Sequence, residues 1–184
     1  MSRKRCIGLI SAVPFEASLI KKYFIKSKTV SRDISEGLIG SCRIVHMTSG
    51  IGVANASHAA TVVINKYSPV AVINFGIGGA YPGSGLKKGD VGFAEKEIYA
   101  DAGVLMKNGL HDIKSIGIPL LQKGRKKYYN EFPVSRPLLN VFKKRLPGIP
   151  AGVFLTVSRS TGTLKRAREL WDRYNAKCEN MEGA

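Results

Sequence analysis

With 184 residues, 44% of them hydrophobic, the chain has enough apolar material for one domain to bury about two thirds of its unfolded surface, so neither disulfides nor a metal is needed to hold it. Its 29 basic and 13 acidic side chains leave a net charge of +16, but the basic residues fall in short groups (Arg125-Lys126-Lys127, Lys143-Lys144-Arg145, Lys165-Arg166) without aromatic interleaving, which fits solvated faces and not a nucleic-acid stripe. Three widely spaced cysteines, Cys6, Cys42 and Cys178, and three scattered histidines argue against a disulfide framework or a metal site and suit a reducing, cytoplasmic compartment.

Residues 6–13 (CIGLISAV) form a continuous apolar run of the kind expected of a strand covered on both faces. The run is too short for a membrane span and lacks a cleavage-site pattern, so neither a membrane segment nor a targeting signal is expected. Pro14 predicts a helix that opens at its first position and puts Glu16 in the first turn, beyond the carboxyl end of the strand, where open α/β sheets bind ligands. The same Glu would equally complement the helix dipole. Residues 27–48 alternate weakly, with turn signals at Glu36-Gly37 and Gly40-Ser41, and predict a hairpin ending in a strand over 42–48. Ser49-Gly50-Ile51-Gly52 then leads into residues 53–67, where Val53, Ala56, Ala60, Val63 and Ile64 recur at helical spacing. These glycines suit either a backbone that closely approaches a ligand or a plain tight turn.

Residues 70–75 (VAVINF) predict a second buried strand that runs into the glycine-rich stretch 76–85 (GIGGAYPGSG). No well-formed helix follows and no acidic residue ends a following strand, which sets the nicotinamide dinucleotide fingerprint aside. A strand over 91–98 follows a turn at 87–90, and Asp101 just beyond it reads either as a site residue or as a turn former. Residues 106–137, with Pro119, Pro133 and Pro137, loosen into an irregular insertion with little core, in which His111 is expected to be exposed. A helix over 136–146 stops at Pro147-Gly148, and residues 151–157 predict a third apolar strand. The loop Ser158-Arg159-Ser160-Thr161-Gly162 caps a helix whose Leu164, Ala167, Leu170, Trp171 and Tyr174 make one apolar stripe. A last strand over 178–181 precedes Glu182, a carboxylate suited to accept two hydrogen bonds from a vicinal diol, or simply a solvated acid. Strands alternating with helices predict a three-layer α/β/α fold with a mostly parallel, twisted mixed sheet, in a single domain over 1–184.

Four stretches in this order, 12–17 (AVPFEA), 74–86 (NFGIGGAYPGSGL), 160–163 (STGT) and 179–184 (ENMEGA), resemble the nucleoside phosphorylase and nucleosidase superfamily, and within it the futalosine hydrolase family most. The resemblance covers nearly the whole chain. It implies hydrolysis of the N-glycosidic bond of a purine nucleoside, in first place futalosine in menaquinone biosynthesis. The alternatives are a methylthioadenosine/adenosylhomocysteine nucleosidase or a nucleoside-binding domain without activity. It further implies Glu16 as the acid that activates water, and Met181 (backbone) and Glu182 (carboxylate) on the ribose hydroxyls, with Asn180 in the same segment. Ser49, Gly50 and Ile51 would edge the 5′ side, Gly76, Ile77, Gly78 and Gly79 would pass the ribose and the water, and Thr161-Gly162 would lie near the purine. On this reading the first and last strand tips converge on one furanose.

Phosphorylases of the superfamily hold phosphate with an Arg after the first strand; Pro14, Phe15 and Glu16 stand there instead, which implies water as the nucleophile. The resemblance implies a small-molecule purine nucleoside as partner and a homo-oligomer; no cofactor, metal, nucleic acid or membrane is expected. Relatives continue beyond Met-Glu-Gly-Ala with a helix, a strand bearing an Asp that protonates the purine, and a final helix. The corresponding expectation is a domain incomplete at its C-terminus, with weak or absent activity in the 184-residue form.

Overall fold

The computed structural model describes residues 5–184, which divide between Ile77 and Gly78 into two compact units. In the first, the elements are β1 (Cys6–Ser11), the single turn α1 (Ser18–Lys21), β2 (Ile25–Thr29), β3 (Ile34–Ile39), β4 (Cys42–Thr48), α2 (Val53–Tyr67) and β5 (Ala71–Asn74). Their sheet has the order β2-β3-β4-β1-β5, with β1 parallel to both neighbours and β2, β3 and β4 joined as an antiparallel meander. The apolar run at 6–11 is thus an interior strand, as its composition requires. Buried Ala56, Ala59 and Val63 make the inner face of α2, and Gly8 has no room for a side chain because a Cβ there would lie 2.7 Å from Val63. Cys6, Ile34 and Val45 form one small core with Val62 and Tyr67; Leu9, Phe24 and Ile44 form another with Ile20, Ile73 and Phe75.

Two expectations fail here. Glu36-Gly37 is not a turn but the middle of β3, where Gly37 pairs with Ile44 and leaves space for Phe24, whose Cβ would be 2.7 Å from an added methyl. The neighbouring Glu36 is buried and paired with Arg43 at 2.8 Å, so a turn-like dipeptide sits in a strand because tertiary partners satisfy it. Nor does a helix open at Pro14: residues 14–17 are turns and α1 begins only at Ser18. The Glu16 side chain draws the N–H of Val13 to itself, which fixes this segment as a turn.

The second unit contains β6 (Gly79–Ala80), β7 (Phe93–Tyr99), β8 (Gly103–Met106), β9 (Gly109–Asp112), a 3-10 turn, β10 (Leu121–Lys123), β11 (Lys126–Tyr128), β12 (Glu131–Pro133), α3 (Arg136–Arg145), β13 (Ala151–Thr156), α4 (Leu164–Tyr174) and β14 (Cys178–Asn180). Its sheet has the order β12-β7-β13-β14-β6; β7, β13 and β14 are parallel and the two edge strands antiparallel. Tyr81, Ile98, Ala100, Leu155, Val157, Leu170 and Ala176 are its core, lined by Val153, Ala167, Trp171 and Tyr174. The apolar stripe of α4 therefore starts at Ala167, since Leu164 is 57% exposed. The insertion has little core, as expected, but it is made of two hairpins, β8-β9 and β10-β11, plus β12 on the sheet edge. Buried Asn130 ties it down: its Nδ2 donates to the carbonyls of Tyr99 and Ala102, and its Oδ1 accepts from Ile113 N–H. His111 is half-exposed and bonds to Asn108. Both units are α/β, and among the described residues no helix is long and apolar enough to cross a membrane.

Candidate functional site

In the first unit the carboxyl end of β1 collects the expected residues. The half-buried Glu16 carboxylate accepts Val13 N–H through Oε2 (3.1 Å) and Ile77 N–H through Oε1 (2.8 Å). One bond per oxygen leaves each with a lone pair to offer a water. The carboxylate lies flat against Gly76, where a Cβ would collide with Oε1, so glycine is the residue that lets this acid sit against the backbone. Ser49 and Gly50 join the same strand end, donating their N–H groups to Ser11 and Ala12 carbonyls at 2.9 Å. Gly50 and Gly52 have φ of +87° and +97°, conformations that demand glycine, and between them Ile51 presents a side chain 56% exposed. Behind them His46 is fully buried, with Nε2 2.9 Å from Ser11 Oγ. Burial, helped by the charge of Lys21, pushes its pKa down to about 4, so it is neutral packing and not an acid-base group near neutrality.

In the second unit the expected residues gather around β14. Past its last residue the chain turns sharply: Asn180 Oδ1 accepts the N–H of Glu182 (3.0 Å) and of Gly183 (2.7 Å), and Glu182 Oε2 accepts Met181 N–H at 3.1 Å. Asn180 is thus occupied in shaping the turn that carries Met181 and Glu182. Gly78 and Gly79 lie against β14, where a Cβ would come within 2.9 Å of the Glu179 carbonyl and 3.2 Å of the Glu179 side chain respectively, and Gly79 pairs with Glu179 in the sheet.

Three residues of this region were not singled out from the sequence. Glu179 is buried at the centre of a hydrogen-bond cluster: Tyr81 Oη donates at 2.6 Å, Thr161 N–H at 2.7 Å and Thr161 Oγ1 at 2.5 Å. Both hydrogen-bond donors of Thr161 are thereby held by Glu179, which anchors the loop 158–163. Burial and the adjacent carboxylate push the Tyr81 hydroxyl far above its ordinary pKa, so it remains a donor. Glu97, on β7, is buried as well and accepts from Thr156 Oγ1 and Asn180 Nδ2. Burial raises its pKa, the hydrogen bonds from Asn180 and Thr156 oppose that rise, and the charge of Glu182 adds to it. Their only sequence signal was a charged residue inside a strand, among other charges in β7 and beside Asn180 in β14, or, for Tyr81, an aromatic within a glycine run.

A cavity of about 240 Å³ opens beside the same loop, lined among others by Asp101, Arg159, Thr161, Gly162, Arg166 and Leu170. Asp101 accepts Ser158 N–H at 2.6 Å and so shapes this loop. Cys178, pushed up to about 12 by burial and by the charges of Glu97 and Glu179, is no nucleophile. Among the described residues no group of His, Cys, Asp or Glu has the arrangement of a metal site.

Residues 6–184 match the family model of the phosphorylase superfamily. Futalosine hydrolase from Thermus thermophilus is 35% identical over 140 residues, which cover 76% of this chain and 59% of that protein. A 5′-methylthioadenosine/S-adenosylhomocysteine nucleosidase from Buchnera aphidicola is 32% identical over 141 residues, 75% of this chain and 56% of that protein. The chain thus spans less than two thirds of the length of either relative. Among solved structures, the nucleosidase of the latter kind from Neisseria meningitidis, in complex with methylthio-immucillin-A, has a TM-score of 0.79 at 24% identity, over 97% of this chain and 76% of that one. The S-adenosylhomocysteine nucleosidase of Streptococcus pyogenes, in complex with 5-methylthiotubericidin, has a TM-score of 0.80 at 20% identity, over 100% and 75%. The chain shares its fold with both solved structures.

Proposed function

The chain belongs to the phosphorylase superfamily, and on that premise we propose that it serves the hydrolysis of a purine nucleoside at its N-glycosidic bond, with futalosine as substrate and hypoxanthine and dehypoxanthine futalosine as products. The observation that carries this reading is Glu16: a carboxylate oriented by two backbone N–H groups at the carboxyl end of β1, in a turn with no arginine to hold phosphate. Water gives a proton to Glu16 and its oxygen bonds to C1′ of the sugar. The C1′–N9 bond breaks, its electron pair leaves with the purine, the purine takes up a proton from solvent, and Glu16 returns the water's proton to solvent. The sugar passes through an oxocarbenium-like state, and carboxylates facing it stabilise that charge.

Glu182 is the acid we assign to the ribose hydroxyls, alongside the backbone of Met181. Ser49, Gly50 and Ile51 take the 5′ side, the glycines 76–79 border the sugar, and Thr161 with Gly162 faces the base. Futalosine is favoured over methylthioadenosine by the 35% identity to the Thermus hydrolase. The same reading places the protein in menaquinone biosynthesis, in the cytoplasm, as a homo-oligomer.

The test is chromatography of the bases released from futalosine and from methylthioadenosine, together with nucleoside-induced thermal stabilisation. Glu16→Gln is expected to lower turnover about 10²–10⁴-fold, the contribution of a positioned general base, while nucleoside binding persists. Adenine release exceeding hypoxanthine release would reassign the substrate. Full activity in the Glu16→Gln protein would remove Glu16 from its role.

A further inference from the structure

Resting on the assignment of Glu182 to the sugar, we propose that Glu97 is a positioning residue that sets the ribose-binding turn through Asn180. Asn180 is the hinge of that turn. Its Oδ1 holds the N–H groups of Glu182 and Gly183 at 3.0 and 2.7 Å, while its Nδ2 donates to both oxygens of Glu97 at 3.0 and 3.1 Å. An amide can be turned over about its last torsion, and only its partners decide which end faces which way. A carboxylate only accepts, so Glu97 requires the amino end of Asn180 and leaves the carbonyl end for the two backbone donors. With the amide reversed, oxygen would face carboxylate and amino hydrogens would face two N–H groups.

Glu97 is itself held in place. It is 6% exposed on β7, and Thr156 Oγ1 on β13 donates to its Oε2 at 2.9 Å. The chain of contacts therefore crosses three adjacent parallel strands, from β13 to β7 by Thr156 and from β7 to β14 by Asn180. A second contact reaches the same turn: a Cβ on Gly183 would run into the Glu97 carboxyl group, so residue 183 is a glycine resting directly on this acid. Both ends of the turn thus depend on Glu97. The acid bears a cost for being there, since burial and the charge of Glu182 raise its pKa, and an apolar side chain would avoid that cost. What an apolar side chain would lose is the orientation of Asn180.

The experiment pairs amide hydrogen exchange at Glu182 and Gly183 with affinities for a purine nucleoside and for the free purine base, in the wild-type chain and in Glu97→Ala, Glu97→Gln, Asn180→Ala and the Glu97→Ala/Asn180→Ala double variant. Gln at 97 retains an oxygen for Asn180 and an amino group for the Thr156 hydroxyl. Glu97→Ala and Asn180→Ala are each expected to speed Gly183 exchange about ten-fold or more and to weaken nucleoside at least ten-fold with free base unchanged. The double variant should lose no more than Asn180→Ala alone, and Glu97→Gln should recover most of the loss.

Unchanged exchange in both Glu97 variants, additive losses in the double variant, or equal loss of base and nucleoside would each overturn the proposal. Should Glu97→Ala fail to fold, Glu97→Gln and Asn180→Ala still decide it: an Asn180→Ala protein with wild-type exchange at Gly183 and wild-type nucleoside affinity refutes it. A wild-type chain that binds base but gains nothing from the sugar refutes the assignment of Glu182, and the exchange rates then report separately on whether Glu97 holds the turn.

Discussion

Glu179 illustrates how a buried acid can be used up by structure. Three donors from two residues converge on it, and two of them come from the loop that lines the cavity. Removing one donor leaves a buried carboxylate short of a partner, and hydrogen bonds to charged groups are worth about 1.5–3 kcal/mol. Tyr81→Phe is therefore expected to lower stability by roughly that amount, read from urea unfolding, and to loosen the loop 158–163, read as faster amide exchange at Thr161. A stability equal to wild type would mean that Thr161 alone satisfies the carboxylate. Of the individual residues, Glu16 could be placed from the sequence just beyond the end of the first strand, although in a turn and not in the helix that Pro14 suggested, and its role came only from the resemblance. Glu179 and Glu97 were not, because a charged side chain within a strand reads as solvent-facing until its cross-strand neighbours are known.

At the level of elements, the loops at strand ends are better defined by their glycines than by their polar residues. Gly76 does not have a left-handed backbone; its requirement is steric and comes from the tip of the Glu16 side chain. A carboxylate on a flexible stem can move aside where backbone could not. Gly76→Ala is thus expected to keep the fold, with a melting temperature within a few degrees of wild type, while cutting the proposed nucleoside hydrolysis by more than ten-fold through displacement of Glu16. Equal activity in that variant would show that the observed carboxylate position is dispensable.

The apolar strands at 6–11, 71–74 and 151–156 and the helices at 53–67, 136–145 and 164–174 could be read from periodicity and caps, within a residue or two of the expected bounds. What escaped were elements whose stability is non-local. The two-residue β6 rests on its pairing with β14, the Gly37 segment on its pairing with β4 and the room it leaves for Phe24, and β12 on its place at the edge of β7.

Across the whole molecule, two buried ionisable groups make stability depend on pH in opposite senses. His46 titrates near 6.5 in the unfolded chain and at about 4 in the folded one, so its contribution is complete above 6.5 and is lost as pH falls toward 4. A shift of that size corresponds to roughly 3 kcal/mol at full loss. Glu97 has a raised folded value, so its contribution is present below the ordinary carboxylate range and is lost as pH rises through that range to its raised value. Denaturant midpoints between pH 7 and pH 4 are expected to fall for the first unit. Replacing His46 by Gln should flatten that fall, and an unaltered pH dependence in the variant would exclude the histidine as its source. Net charge of +16 adds self-repulsion that salt screens, so the comparison belongs at fixed ionic strength.

The chain has a single tryptophan, Trp171, and its indole covers Gly83 so closely that a methyl there would collide with the ring. Tryptophan emission, excited selectively over tyrosine, therefore originates within residues 78–184, whereas far-ultraviolet ellipticity sums over both units. Since the acid-sensitive histidine lies in the half without an indole, the ellipticity signal should begin to decline at a higher pH than the emission maximum moves. A mildly acidic sample judged intact by its emission spectrum would already have lost order around Glu16.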